Sequence, residues 1–328
     1  MTLVRYLAEG TFDAARELET LHGHSFVVRV EAPESDVGMM SAEQFVKQLQ
    51  KAVSPLDHGF VNEYISHPTN RQIAAWIQQQ GQLPSSACIT VEAPVNTAIE
   101  LQPDGTVFLL RRYRFEAAHQ LPNVPEGHQC GRMHGHGFVV TLRVKQTAGV
   151  SVQDIDRCWQ VLYQQLNHNC LNKIPGLENP TSEVLAAWLW RKLVSGLLSL
   201  TRVSVTETVT AGCHYDGQNY QIWKDRRFES AIRYPESGLL YGHSYLLRLY
   251  LSAPLDPVMG WTIDYGDVKR LFQPVYQALD HQQLDALDGF DRSNLLSLAR
   301  WVKGQTRLVL PQVSRLDLYS TPGCGVCC

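Results

Sequence analysis

Met133-His134-Gly135-His136-Gly137-Phe138 is the stretch from which the organisation of this 328-residue chain unfolds. It has two echoes, Leu21-His22-Gly23-His24-Ser25-Phe26 upstream and Tyr241-Gly242-His243-Ser244-Tyr245 downstream. A second pattern follows each copy: Leu56-Asp57-His58, Leu166-Asn167-His168 and Leu279-Asp280-His281. A third precedes each copy: Phe12-Asp13-Ala14-Ala15, Phe115-Glu116-Ala117-Ala118 and Phe228-Glu229-Ser230-Ala231. Unrelated patterns that keep one order and one interval, roughly 110 residues, mark tandem repeats. The expected domains are residues 1–106, 107–222 and 223–328.

Each repeat reads as two strands, two helices and two strands. In the middle repeat, Phe138 to Val144 is apolar and β-branched, as in a strand. Ile155, Trp159, Leu162 and Leu166 recur at helical spacing. A second helix opens at Pro180-Thr181-Ser182, with Val184, Leu185, Trp188 and Leu189 on its apolar face. Arg202 to Thr208 reads as a strand with Glu207 near its edge. In the first repeat, Ser41/Gln44 and Thr69/Gln72 have the spacing of capping boxes. The expected fold class is α+β, built on antiparallel strands.

Composition narrows the function classes. At 44% apolar and 19% charged residues, the chain can bury a sizeable core. Its formal charge of −3 argues against a nucleic-acid binder that depends on a basic field. No apolar run reaches the roughly 18 residues a membrane helix needs. Arg5, Glu9 and Asp13 interrupt the apolar stretch that a secretory signal requires. Eight cysteines without such a signal point to a reducing cytoplasm, the expected location.

The middle repeat carries the chemistry. His134 and His136 are two residues apart, so on a strand both rings leave one face, and His119 on the preceding strand meets them across the ladder. Three converging imidazoles suit Zn²⁺ with an open fourth position for Lewis-acid work. Cys130 lies in the polar loop His128-Gln129-Cys130-Gly131-Arg132, where a nearby cation would lower its pKa and make it a base or nucleophile. The Asp-His pairs suggest a carboxylate that orients an imidazole.

These residues carry a resemblance. The middle repeat is similar to the 6-pyruvoyl-tetrahydropterin synthase family, in particular to its bacterial 6-carboxytetrahydropterin synthase branch of queuosine biosynthesis. The resemblance rests on Tyr113-Arg-Phe-Glu-Ala-Ala-His-Gln-Leu-Pro, Pro125-Glu-Gly-His-Gln-Cys-Gly-Arg-Met-His-Gly-His, Gly176-Leu-Glu-Asn-Pro-Thr-Ser-Glu and Thr206-Glu-Thr-Val-Thr-Ala-Gly-Cys. It implies three tunnelling-fold units that close a pseudo-trimeric antiparallel barrel with helices outside. It also implies zinc on His119, His134 and His136, Cys130 as the catalytic base, and Glu207 anchoring the pterin ring with Thr181 and Ser182 beside it. A carboxylate on a guanidine-like edge makes a two-point, geometrically specific bond. The implied reaction converts 7,8-dihydroneopterin triphosphate to 6-carboxy-5,6,7,8-tetrahydropterin, acetaldehyde and triphosphate. A pyruvoyl-forming relative and a non-catalytic pterin-binding or scaffolding relative are the alternatives.

The departures shape the rest of the expectation. The first repeat has Arg16 at the first ligand position and lacks the cysteine loop; the third has Ile232 and Tyr241, keeping only His243. The middle repeat has Asn167-His168 in place of Asp-His. Family sites take that pair from a neighbouring subunit, so one composite site per chain is expected. Asp57-His58 is the preferred donor, because the first repeat also keeps Pro68-Thr69 and Glu92; the third has Asp291-Arg292-Ser293 there. Asp280-His281 and the repeat's own His168 are the other choices. Three fused units doing the work of three subunits imply a homodimer. The terminal Cys324-Gly-Val-Cys-Cys328 reads as a frayed structural remnant before a metal or redox motif.

Overall fold

The computed structural model describes residues 4–147, 149–233, 238–290 and 294–328, so Asp291-Arg292-Ser293 lies outside the described residues. Repeat 1 runs β1 (Arg5–Glu17), β2 (Leu21–Pro33), the single turn α1 (Glu34–Val37), α2 (Ala42–Val53), β3 (Gly59–Phe60), α3 (Asn70–Gln80), β4 (Cys88–Glu92) and β5 (Thr97–Leu101). Repeat 2 runs β6 (Val107–His119), β7 (His134–Lys145), α4 (Val152–Leu166), β8 (Asn169–Cys170), α5 (Ser182–Leu193), β9 (Leu200–Thr208) and β10 (Ala211–Tyr215). Repeat 3 follows with β11 (Tyr220–Arg233), β12 (Leu240–Ser252), α6 (Tyr265–Leu279), β13 (Gln282–Gln283), α7 (Leu295–Val309), β14 (Val313–Thr321) and β15 (Cys324–Cys327). The fold is α+β, a tandem of tunnelling-fold units. No helix among the described residues is long and apolar enough to cross a membrane.

The three recurring sequence patterns are explained by one local device. Phe12 lies opposite Phe26 and Phe115 opposite Phe138 in the antiparallel ladders. Their rings stack at 4.5 and 5.1 Å, and Phe228 stacks on Tyr245 at 4.8 Å. Such pairs add about 1 kcal/mol each beyond area burial. One residue after each phenylalanine, the backbone receives the acid-or-amide/His pair. The Asp13 N–H donates to Asp57 Oδ1 at 2.9 Å, the Glu116 N–H to Asn167 Oδ1 at 3.0 Å and the Glu229 N–H to Asp280 Oδ1 at 3.0 Å. The histidine N–H donates back to the same residue's carbonyl each time. His58, His168 and His281 all hold φ near +57°, a left-handed turn that histidine tolerates better than most residues.

The chain forms two compact units that cut across the repeats. One comprises residues 1–107, 225–249 and 269–328; its strands run β5-β4-β2-β1-β15-β14-β12-β11-β13. Phe26, Val28, Phe45, Leu49, Ile73 and Ile77 are buried under α2 and α3. The other comprises residues 108–224 and 250–268, with order β10-β9-β7-β6 and the first residues of β11 on β10. Its core joins Phe138, Val140 and Leu142 to Ile155, Trp159, Leu185 and Val205. Residues 250–268 of repeat 3 therefore belong with repeat 2.

Two local expectations change. The Ser41/Gln44 box forms in both directions, whereas at Thr69 only the forward bond forms, the Gln72 N–H donating to Thr69 Oγ1. The C-terminus is not frayed: β15 pairs with both β1 and β14, and Cys324, Cys327 and Cys328 are buried. Burial pushes the three thiols up, Cys328 to about 11, so they stay protonated packing groups.

Candidate functional site

His119 is the last residue of β6 and lies opposite His134, the first of β7; Ala117 lies opposite His136. The ladder thus turns a spacing of two into convergence on one face. The ligand atoms of the three rings lie within 4.8 Å of one another, the only such metal-sized group of His, Cys, Asp or Glu among the described residues. Every Nδ1 faces a backbone carbonyl: His119 to Pro180 O at 3.3 Å, His134 to Arg132 O at 2.8 Å and His136 to Gly137 O at 3.2 Å. A ring that donates from Nδ1 presents a lone pair at Nε2. The Nε2 atoms of His119 and His136 stand 3.1 Å apart. Two lone pairs at that distance repel unless a cation lies between them, and tetrahedral zinc sets ligand nitrogens about 3.3 Å apart. The residues present fit that metal. Burial, reinforced by the other two rings, pushes His119 down to about 4, and burial also lowers His136, so both are neutral and metal-competent above mild acid.

Cys130 sits in a short 3₁₀ turn, Gln129–Gly131, between β6 and β7. Burial first, and then the Glu207 and Asp264 carboxylates, push its thiol up. The protein's own groups thus oppose the thiolate, and the lowering expected from sequence depends on a cation at the histidines. Glu207 lies on β9 and is pushed up to about 7, by burial and by Glu183 and Asp264, against the pull of Lys224. Carboxyls raised this way cluster at functional sites.

The predicted Thr181 and Ser182 are buried at the start of α5, and repeat 3 occupies both hydroxyls. Thr181 Oγ1 donates to the Gly260 carbonyl, and Ser182 Oγ meets the Tyr265 hydroxyl at 3.0 Å. Glu183, 1% exposed, accepts from the Thr262 N–H at 2.8 Å and the Thr262 hydroxyl at 3.1 Å. Sequence reasoning missed Glu183, Asp264, Tyr265 and His128. Glu183 stood inside a quoted motif, but nothing periodic points to partners about 80 residues away.

The Asp-His pairs are built unequally. In repeat 1, Asp57 Oδ1 serves both the Asp13 N–H and His58 Nδ1, the latter at 3.0 Å. In repeat 3, Asp280 divides the work: Oδ1 takes the Glu229 N–H, Oδ2 faces His281 Nδ1 at 3.0 Å, and Tyr276 adds a side-chain hydrogen bond. The position four residues before Asp57 is Val53, which has no hydroxyl. In repeat 2, Asn167 keeps the backbone bond through its amide oxygen, but it offers the neighbouring His168 no carboxylate.

Comparison with known proteins decides the family. The sequence profile of 6-pyruvoyl tetrahydropterin synthase matches residues 109–218 and again 221–328, well over half of the chain. The chain belongs to the 6-pyruvoyl tetrahydropterin synthase family. A 6-carboxy-5,6,7,8-tetrahydropterin synthase of Synechocystis is 38% identical over 119 residues, covering 33% of this chain and 91% of that protein. Among solved structures, the 6-pyruvoyl tetrahydropterin synthase of Caenorhabditis elegans overlays 33% of this chain and 93% of its own, at 18% identity and a TM-score of 0.30. A uricase from Bacillus fastidious overlays 73% of this chain and 90% of its own, at 7% identity and a TM-score of 0.27. As a member of this family the chain is an enzyme of the tetrahydropterin synthase kind.

Proposed function

We propose that the protein is a zinc-dependent pterin lyase that converts 7,8-dihydroneopterin triphosphate to 6-carboxy-5,6,7,8-tetrahydropterin, acetaldehyde and triphosphate, in the route to queuosine. The observation that carries this reading is the trio His119, His134 and His136, each ring fixed at Nδ1, in one compact unit with Cys130 and Glu207. A scaffold has no need of that arrangement. Zinc, when bound, supplies Lewis acidity toward the substrate's side-chain hydroxyls. Glu207, ionised above about pH 7, pairs with the guanidine-like edge of the pterin. Cys130 Sγ accepts and returns the carbon-bound proton, and an Asp-oriented imidazole exchanges it at Nε2.

We assign that imidazole to His281 with Asp280, the reverse of the preference drawn from sequence. The features that favoured repeat 1 serve repeat 1 itself. The Arg16 guanidinium donates to Pro68 O at 3.1 Å and Asn70 Oδ1 at 2.7 Å, while Glu92 is taken by Arg29 at 3.0 Å. In repeat 3, Asp280 has the extra hold of Tyr276, where repeat 1 has Val53. Two such chains, six tunnelling-fold units, would form a homodimer, checked by the mass in solution.

The test is the product mass after incubating zinc-loaded protein with 7,8-dihydroneopterin triphosphate. Formation of 6-carboxytetrahydropterin, lost in Cys130→Ala with zinc still bound, is the expected result. A 6-pyruvoyl product would move the protein to the family's other branch. Zinc bound at one per chain with no turnover would overturn the lyase reading in favour of a pterin-binding relative.

A further inference from the structure

The turn that carries Cys130 is held on both sides of that residue. Its carbonyl accepts from the Leu121 N–H at 2.8 Å, and its own N–H donates to His128 Nδ1 at 3.2 Å. With Nδ1 accepting, the neutral His128 ring carries its proton on Nε2. That Nε2 faces Asp264 Oδ2 at 3.5 Å, and the ring sits 6.0 Å from that of Trp261. Asp264 and Trp261 belong to repeat 3, in the segment that packs with repeat 2.

Comparing the three repeats shows what is special about Asp264. The first long helix of each repeat is capped by the residue before it. In repeat 1 the cap is Ser41, accepting from Gln44 N at 3.2 Å; in repeat 2 it is Ser151, accepting from Asp154 N at 3.3 Å. In repeat 3 it is Asp264, whose Oδ1 accepts from Gly266 N at 2.7 Å and Asp267 N at 3.1 Å. Capping satisfies orphan N–H groups with one oxygen. Serine has then spent its only oxygen, whereas aspartate has a second one, locked in direction by the first. That second oxygen is the one aimed at His128.

We propose that His128 and Asp264 are positioning residues for Cys130: the cap carboxylate of repeat 3 holds the His128 ring, and the ring holds the backbone of the cysteine turn. The assignment gives a metal-less repeat a part in the site that repeat 2, with serine at its own cap, does not reproduce. The proposal rests on the pterin-lyase reading only where turnover is measured.

The experiment compares His128→Ala, Asp264→Ser and the double variant. Asp264→Ser keeps a helix cap of the kind repeats 1 and 2 use, so its melting temperature should stay near wild type while the hold on His128 is lost. Either single substitution should lower kcat by about tenfold or more, the scale of outer-shell losses around active centres, with KM and zinc content little changed. The double variant should lose no more than the worse single one, because both act through one contact. Added imidazole should partly restore His128→Ala. A second readout is independent of the reaction: iodoacetamide labelling of Cys130, followed by mass spectrometry of its peptide. Labelling should accelerate at least about threefold in each single variant, and no further in the double, as the turn loosens. Wild-type turnover in Asp264→Ser, or effects that multiply in the double variant, would overturn the positioning role. Absent turnover in the parent with the labelling pattern intact would remove the lyase reading and leave the positioning role standing.

Discussion

Repeats 1 and 2 fill the same corner of the fold in two ways. In repeat 2 the carbonyl of Pro180 faces Nδ1 of His119, whose Nε2 is free for a metal. In repeat 1 the corresponding Pro68 carbonyl receives the guanidinium of Arg16, which lies opposite His22 as His119 lies opposite His134. Arg16 is 4% exposed; among the described residues it bonds to Pro68 and Asn70 oxygens through Nη1, and its Nε has no partner. Its cation rests 5.2 Å from the Phe26 ring. The corner that repeat 2 lines with three imidazoles is filled in repeat 1 by a fixed positive charge. Repeat 1 builds it into the chain, since arginine stays charged even when burial lowers its pKa. Repeat 2 has three imidazoles there instead, a group that fits a metal ion.

On the proposed function repeat 1 is structural while repeats 2 and 3 are catalytic, and the sharpest way to break that reading is kinetic. Asp280→Ala should cut turnover by about 10³-fold or more, while Asp57→Ala should change it by less than about threefold; in a serine protease, disabling the Asp behind the catalytic His costs about 10⁴. Equal, mild losses in steady-state assays would end the assignment. Asn167→Asp should leave turnover within about twofold, because the amide already satisfies the Glu116 N–H and the pair does not serve its own repeat.

Converting one repeat toward the other comes next. His22 Nδ1 already faces the Thr20 carbonyl at 2.8 Å, the counterpart of His134 with Arg132, and the His22 and His24 rings lie 4.8 Å apart. Arg16→His should therefore raise zinc content from one to two per chain by elemental analysis. A value that stays at one would show that the ladder register alone does not make the site.

The smallest expected effect concerns Glu207. Its carboxyl is raised from the ordinary 4.5 to about 7, by burial first. Below pH 4.5 both the folded and unfolded forms are protonated and nothing is lost. Between 4.5 and 7 the unfolded chain ionises first, so stability falls as pH rises, and the full penalty is present above 7. Discounted for partial exposure, it is roughly 2 kcal/mol. Substrate-free Glu207→Gln should melt a few degrees higher than wild type at pH 8 and at the same temperature at pH 4.5. Its counterpart in repeat 1, Glu92, is tied to Arg29 instead.

Sequence alone determined the repetition, the α+β order within each repeat and the three histidines. Those features are local: a ladder of period two places His134 and His136 on one face, and a period of 3.6 lays Ile155, Trp159 and Leu166 along one side of α4. Sequence also located Asn167 as a departure and offered a reason, that its pair does not serve its own repeat; the structure adds a backbone N–H that an amide oxygen satisfies as well as a carboxylate. Tertiary structure decided the rest. Thr262 reaches Glu183 across 79 positions and Val258 reaches Asn123 across 135. No periodic pattern carries such pairs, because each contact is set by how two distant segments pack and not by the spacing within either. The same holds for Asp264. In the sequence it is one more acidic residue before a helix; only the packing of residues 250–268 with repeat 2 turns its second oxygen toward the loop of Cys130.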